Sequence, residues 1–117
     1  MRAICTQRLY TDMDLLAQIV IVDDERIHPK GDIHLKTSTE ALSWLEESRG
    51  CKELWLDHDL GGEDTTRPVA LWLAELGFNE KPYLVETIYI HSMNPVGADY
   101  LLKTLNKYYN VKIMRWF

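Results

Sequence analysis

Acidic residues and histidines follow three apolar runs of the chain, at the point where each run ends. These side chains are Asp23, Asp24, Asp57, His58, Asp59, His91 and Ser92. Carboxylates are ligands for divalent cations, and imidazoles and carboxylates are the usual groups that move protons in acid–base catalysis. They predict a chemical site if the fold brings the ends of the three runs together.

The apolar runs have the length and the β-branched composition of buried strands. They span residues 19–22, 54–56 and 87–90, and shorter strands are predicted at about 33–36 and 111–114. Continuous apolar runs of this kind are typical of parallel strands that are covered on both faces.

Helical patterns separate these strands. Thr39 is predicted to cap a helix that Gly50 ends, and Pro68 fits the first turn of a second helix that ends at Gly77. A third helix is predicted from about 96 to 109, and a short helix at 13–17 is ambiguous. Alternation of strands and helices predicts an α/β fold, a three-layer doubly wound parallel five-stranded sheet in the order 2-1-3-4-5.

The composition is that of one globular domain. With 46% hydrophobic and 26% charged residues, we expect residues 1–117 to form a single domain, with 1–17 as an N-terminal extension. The net charge of -5 argues against duplex DNA or a membrane surface as a partner. No apolar run approaches the ~20 residues of a membrane span, so a cytoplasmic protein is expected. Cys5 and Cys51 have no metal spacing and are expected to be ordinary reduced thiols.

In the predicted order the first, third and fourth strands are neighbours, so their acidic residues should share one crevice. Two carboxylates at ~4 Å repel by ~4 kcal/mol at an effective dielectric constant of ~20. Either some carboxylates are protonated, or a cation such as Mg²⁺ or Mn²⁺ lies among them, or protonated histidines supply part of the charge. The alternative is solvated aspartates that begin turns and cap helices.

The segment after the fourth strand is suited to a phosphate. His91 precedes Ser92 and Asn94, and the next helix begins near Gly97, where backbone N–H groups can bind an anion. Arg26 is a further candidate, since a guanidinium there can pair with carboxylates or with a phosphate. His58 lies between two aspartates that can orient its ring, and His58 and His91 together could act as general base and general acid.

Four segments resemble the cyclic-phosphate processing receiver-like domain family, and the resemblance extends from about residue 18 to 110. They are residues 22–29, 56–61, 69–73 and 90–98. The most specific part of this resemblance is an Asp-His-Asp-Leu-Gly motif followed later in the chain by a His-Ser-x-Asn-Pro-x-Gly motif.

The resemblance implies a receiver fold and a pocket that processes cyclic phosphates. It implies that Asp23, Asp24 and Asp57 correspond to the acidic cluster that holds Mg²⁺ in ordinary receivers. The additions that mark the family correspond to His58, Asp59, His91, Ser92 and Asn94. The chain departs from the family at residues 65–68, where the family tends to have Thr-Gly. It departs from ordinary receivers at the end of the last strand, where they have a lysine and this chain has Lys112 early and ends in Arg115.

The preferred hypothesis is a phosphoesterase that opens a cyclic phosphate on a nucleotide or an RNA end. Its catalytic residues would be His58, His91, Asp57 and Asp59. The residues that bind phosphate would be Ser92, Asn94, Gly97 and Arg26. The alternatives are a non-catalytic module that binds a phosphorylated nucleotide or a protein partner, and a signalling receiver phosphorylated on Asp57.

Overall fold

The computed structural model describes residues 18–25 and 30–114. Its strands are β1 (Ile19–Val22), β2 (Ile33–Leu35), β3 (Gly50–Leu56), β4 (Leu84–Ile90) and β5 (Val111–Ile113). They form one parallel sheet in the order β2-β1-β3-β4-β5, which confirms the predicted fold and strand order. The helices are α1 (Ser38–Glu47), α2 (Arg67–Phe78) and α3 (Pro95–Leu105).

The three helices cover one face of the sheet. Each connects a strand to the next one in the same direction across the sheet, and right-handed crossovers then lie on the same side. The core between helices and sheet contains fully buried strand residues, namely Val20, Val22, Leu54, Leu56, Ile88 and Ile90. The ambiguous N-terminal helix, at residues 13–17, lies outside the described residues.

The opposite face carries a row of mostly aromatic and polar side chains in register. Ile21 is paired with His34 on one side and with Trp55 on the other, and the row continues through Tyr89 to Lys112. The rings of Trp55 and Tyr89 stack with their centroids 4.4 Å apart. Because side chains alternate along a strand, residues that follow this row by two positions point to the same side.

The helix boundaries differ in part from the sequence expectation. The cap of α1 is Thr37, whose side chain accepts a hydrogen bond from the backbone N–H of Glu40, and Thr39 lies inside the helix. The helix ends at Glu47, and Gly50 begins β3, with a φ of 152°. Pro68 lies in the first turn of α2, as predicted.

The residues after α3 form a turn, so this helix is shorter than predicted. No described helix combines the length and the apolar character that crossing a bilayer requires. Burial raises the pKa of the Cys51 thiol to about 12, so this thiol stays protonated at neutral pH. Cys5 lies outside the described residues.

Candidate functional site

Three carboxylates meet where β1 and β3 end. Val22 and Leu56 are paired in the sheet, so the residues that follow them are neighbours, and the backbone N–H of Asp57 donates to the carbonyl of Val22. Asp23, Asp24 and Asp57 each offer a carboxylate oxygen, and these oxygens lie within 4.8 Å of one another. We call these three residues the acidic cluster.

The acidic cluster fits a small divalent cation. Mg²⁺ binds oxygens at ~2.1 Å, so oxygens on opposite sides of one ion are ~4.2 Å apart. The cluster has hard oxygen donors only, and their spacing is close to this value. These residues therefore suit a divalent metal of the kind that receiver domains bind.

His91 lies beside the acidic cluster, on the face of the sheet opposite the three described helices. Its ring is fully buried, and Nδ1 lies 3.8 Å from Oδ2 of Asp23. The ring meets Trp55 edge to face, with the centroids 5.6 Å apart. The structure thus joins His91 to Asp23, which confirms that the ends of β1 and β4 converge.

His58 points to the other side of the sheet, among the helices. Its Nδ1 lies 2.6 Å from Oδ1 of Asp59, and its Nε2 accepts a hydrogen bond of 2.9 Å from Nε of Arg67. A guanidinium can only donate, so Nε2 must be the acceptor. This assigns the ring proton to Nδ1, which donates to Asp59. Both nitrogens of His58 therefore have protein partners.

Gly97 leaves room for the ring of His58. A Cβ at this position would lie 2.5 Å from Nδ1 and 2.7 Å from Cδ2 of that ring. The backbone N–H of Gly97 donates to Oδ1 of Asn94, and Asn94 caps α3. In this structure the glycine that sequence reasoning assigned to phosphate binding thus bonds to its own helix cap.

Asn94 connects the start of α3 to Asp59. Its Nδ2 lies 3.5 and 3.4 Å from the two carboxylate oxygens of Asp59. Its backbone N–H donates to Oγ of Ser92 at 3.0 Å. The two motifs that marked the sequence, around 57–61 and 91–97, are therefore in direct contact.

Arg67 contacts His58, and it was not among the site residues predicted from the sequence. Its guanidinium carbon lies 4.2 Å from the centroid of the Tyr100 ring. The loop after β3 returns the chain to His58, since Thr66 N–H donates to the carbonyl of His58 and Asp59 forms a bridge with Thr65. The only sequence signal was that residues 65–68 lack the Thr-Gly that the resemblance had led us to expect.

The same loop also reaches the acidic cluster. Gly61 has a φ of 91°, and a Cβ on it would lie 2.9 Å from Oδ2 of Asp24. Side chains at the carboxyl ends of the strands therefore include a second group besides the acidic cluster. We call it the histidine–arginine cluster, and it consists of His58, Asp59, Arg67 and Asn94. Arg26 lies outside the described residues.

A parallel sheet in this order, with a cluster of aspartates after its first and third strands, defines a receiver-like α/β domain. The family model of the cyclic-phosphate processing receiver domain matches residues 18–107, and the chain belongs to this family. Searches of curated proteins and of solved structures found no match. The matched range contains both clusters.

Proposed function

We propose that the protein is a phosphoesterase that opens a cyclic phosphate on a nucleotide or an RNA end with water. The observation that carries this proposal is that the acidic cluster and the histidine–arginine cluster both lie at the carboxyl ends of the strands, joined by the loop after β3. Membership of the cyclic-phosphate processing family supports the choice of ligand.

The acidic cluster would hold Mg²⁺ or Mn²⁺ in this function. Asp24 and Asp57 are half-buried, and Asp23 is 3% exposed, so the three charges repel each other in a partly desolvated place. When bound, such an ion neutralises charge on the phosphate oxygens. His91 lies against Asp23 from the buried side, with Nδ1 3.8 Å from Oδ2 of that carboxylate.

In the reaction an oxygen of water bonds to phosphorus and one ring P–O bond breaks. The attacking water loses a proton, the released ring oxygen gains one, and the product is a phosphomonoester. A group that carries out both transfers must reach the ligand. Both histidine rings are buried, whereas the side chain of Asp59 is 59% exposed.

We therefore assign the proton transfers to Asp59. Its carboxylate takes the proton from water and returns it to the released oxygen. His58 and Asn94 are positioning residues here, because they donate to this carboxylate and fix its orientation. From the sequence we had expected His58 and His91 to transfer the protons. Because both of their rings are buried, we assign this role to the exposed Asp59 instead.

Hydrolysis of a 2′,3′-cyclic nucleotide in the presence of Mg²⁺ or Mn²⁺ tests the proposal. We expect Asp59→Asn to lower kcat by ~100-fold or more, since acid–base catalysis contributes ~10²–10⁴-fold. The matched control is Asp99→Asn, an exposed carboxylate on α3 that pairs with Lys103. Equal rates for wild type and Asp59→Asn, or no hydrolysis by wild type, would rule the proposal out.

A second function is favoured by the burial of both histidines and by the two partners of the His58 ring. In that case the domain binds a phosphorylated nucleotide or a protein partner without converting it. Mass spectrometry of the cyclic nucleotide after incubation separates the two functions. A bound ligand of unchanged mass supports the binding module, and a mass increase of one water supports the enzyme.

A further inference from the structure

We propose that Arg67 binds the phosphate group of the ligand through the end of its guanidinium that faces away from His58. The inference rests on the proposed function and adds a phosphate-binding residue to it.

Contacts on two sides hold the guanidinium of Arg67 in one orientation. Nε donates to Nε2 of His58 at 2.9 Å, and the carbon of the group lies 4.2 Å from the centroid of the Tyr100 ring. A cation over an aromatic face is attracted by the negative face of the ring, even at exposed sites. The acceptor is itself fixed, because the His58 ring is 4% exposed and packs against Gly97.

The terminal nitrogens of this guanidinium remain available. Arginine has five N–H donors, and the bond to His58 uses the one on Nε. Within residues 18–25 and 30–114, no hydrogen bond or ion pair joins the two Nη atoms to another residue. The carboxylate of Asp59 interacts with His58 and Asn94 instead.

A fixed guanidinium with free terminal nitrogens suits a phosphate. Two parallel N–H groups match two oxygens of a phosphate, and such charge-assisted pairs are about twice as strong as neutral hydrogen bonds. A cyclic phosphodiester has two non-bridging oxygens, and the phosphomonoester product has three. Because Arg67 is already ordered by His58 and Tyr100, binding costs little additional side-chain entropy.

The competing explanation is that Arg67 only joins α2 to α3 and orients His58. A purely structural arginine affects stability and leaves phosphate affinity unchanged in the folded protein. A phosphate-binding arginine affects affinity for ligands with a phosphate and leaves affinity for the nucleoside unchanged. Binding measured on folded variants therefore distinguishes the two roles.

The experiment is calorimetric titration of 3′-AMP and of adenosine at fixed Mg²⁺. The variants are Arg67→Gln, whose amide can still donate to His58, and Arg67→Lys, which keeps the charge and lacks the paired donors. Arg49→Gln is the control, since Arg49 is exposed and lies just before β3, at the opposite end of the strands. Thermal unfolding of each variant shows whether it is folded.

We expect Arg67→Gln to weaken 3′-AMP binding by ~10–100-fold, because a hydrogen bond to a charged group contributes ~1.5–3 kcal/mol. Arg67→Lys should be intermediate, and Arg49→Gln should bind as wild type does. If Arg67→Gln does not fold, the affinity of Arg67→Lys decides. Wild-type affinity for 3′-AMP in a folded Arg67 variant would overturn the inference, as would a wild-type protein that does not bind 3′-AMP.

Failure of the proposed function gives a different result. A wild-type protein that binds 3′-AMP through Arg67 but does not hydrolyse a cyclic nucleotide keeps the role of Arg67 and excludes the phosphoesterase. A protein that hydrolyses the cyclic nucleotide equally well with and without Arg67 excludes the role of Arg67 alone.

Discussion

Replacing Gly97 by alanine tests the position of the His58 ring most sharply. Gly97 is the third residue of α3, and within a helix glycine to alanine normally stabilises by up to ~1 kcal/mol. Here the added methyl group would lie 2.5 Å from Nδ1 of His58, so the ring has to move. Overpacking of a filled site costs ~1–3 kcal/mol. Movement of the ring also strains its bonds to Asp59 and Arg67, each of a kind that contributes ~1.5–3 kcal/mol.

These terms predict that Gly97→Ala lowers the free energy of unfolding by ~2–4 kcal/mol. For a domain of this size that corresponds to a fall in Tm of ~10 °C. Urea unfolding followed by circular dichroism measures the change. In a His58→Ala background the space is open, so the same substitution should stabilise by ~0.5–1 kcal/mol.

The reversal of sign between the two backgrounds is the decisive feature. It requires that the methyl group and the ring compete for one place. If Gly97→Ala were neutral or stabilising in the wild-type background, the ring would not lie against α3. If it were equally destabilising in both backgrounds, the cause would lie in the helix itself.

Three further predictions concern the surroundings of the site. In EDTA, Asp57→Asn should raise Tm because it removes like-charge repulsion. With Mg²⁺ in place of EDTA, the Tm of wild type should rise and that of Asp57→Asn should not. Differential scanning fluorimetry measures both effects. Asn94→Ala should lower the free energy of unfolding in urea by ~1 kcal/mol through loss of the α3 cap. Hydrogen bonds from Ser38 lower the pKa of the Asp64 carboxyl, so their stabilisation is present above the ordinary pKa of aspartate and is lost as pH falls through the lowered value. The difference in stability between wild type and Ser38→Ala, measured by urea titration, should therefore shrink on acidification; a constant difference would contradict this cause.

The strand pattern was enough to predict most of the fold. Buried parallel strands have continuous apolar runs, and β1, β3 and β4 contain these runs, although β3 begins at Gly50 and β4 at Leu84, before the apolar runs start. Because such strands end at the same edge of the sheet, the meeting of Asp23 with Asp57 and of Asp23 with His91 followed from strand order alone. The ends of the helices were harder to predict. Both Thr37 and Thr39 have a side chain that can cap a helix, and only the path of the backbone selects Thr37.

The pairing of Arg67 with His58 was beyond sequence reasoning. Nine positions separate the two residues, and the loop between them has no helical or strand periodicity. Its path depends on local backbone bonds such as those between Asp59 and Thr65. The alternation of side chains along a strand puts His58 and Asp57 on opposite faces of the sheet, and the contact of His58 with Gly97 agrees with that direction.

The sharpest single experiment is a crystal structure of the protein with Mg²⁺ and 3′-AMP. We expect a metal ion bound by Asp23, Asp24 and Asp57, and a phosphate in contact with the terminal nitrogens of Arg67 on the same edge of the sheet. A phosphate bound away from both clusters, at the amino ends of the strands or on the outer surface of the helices, would contradict it.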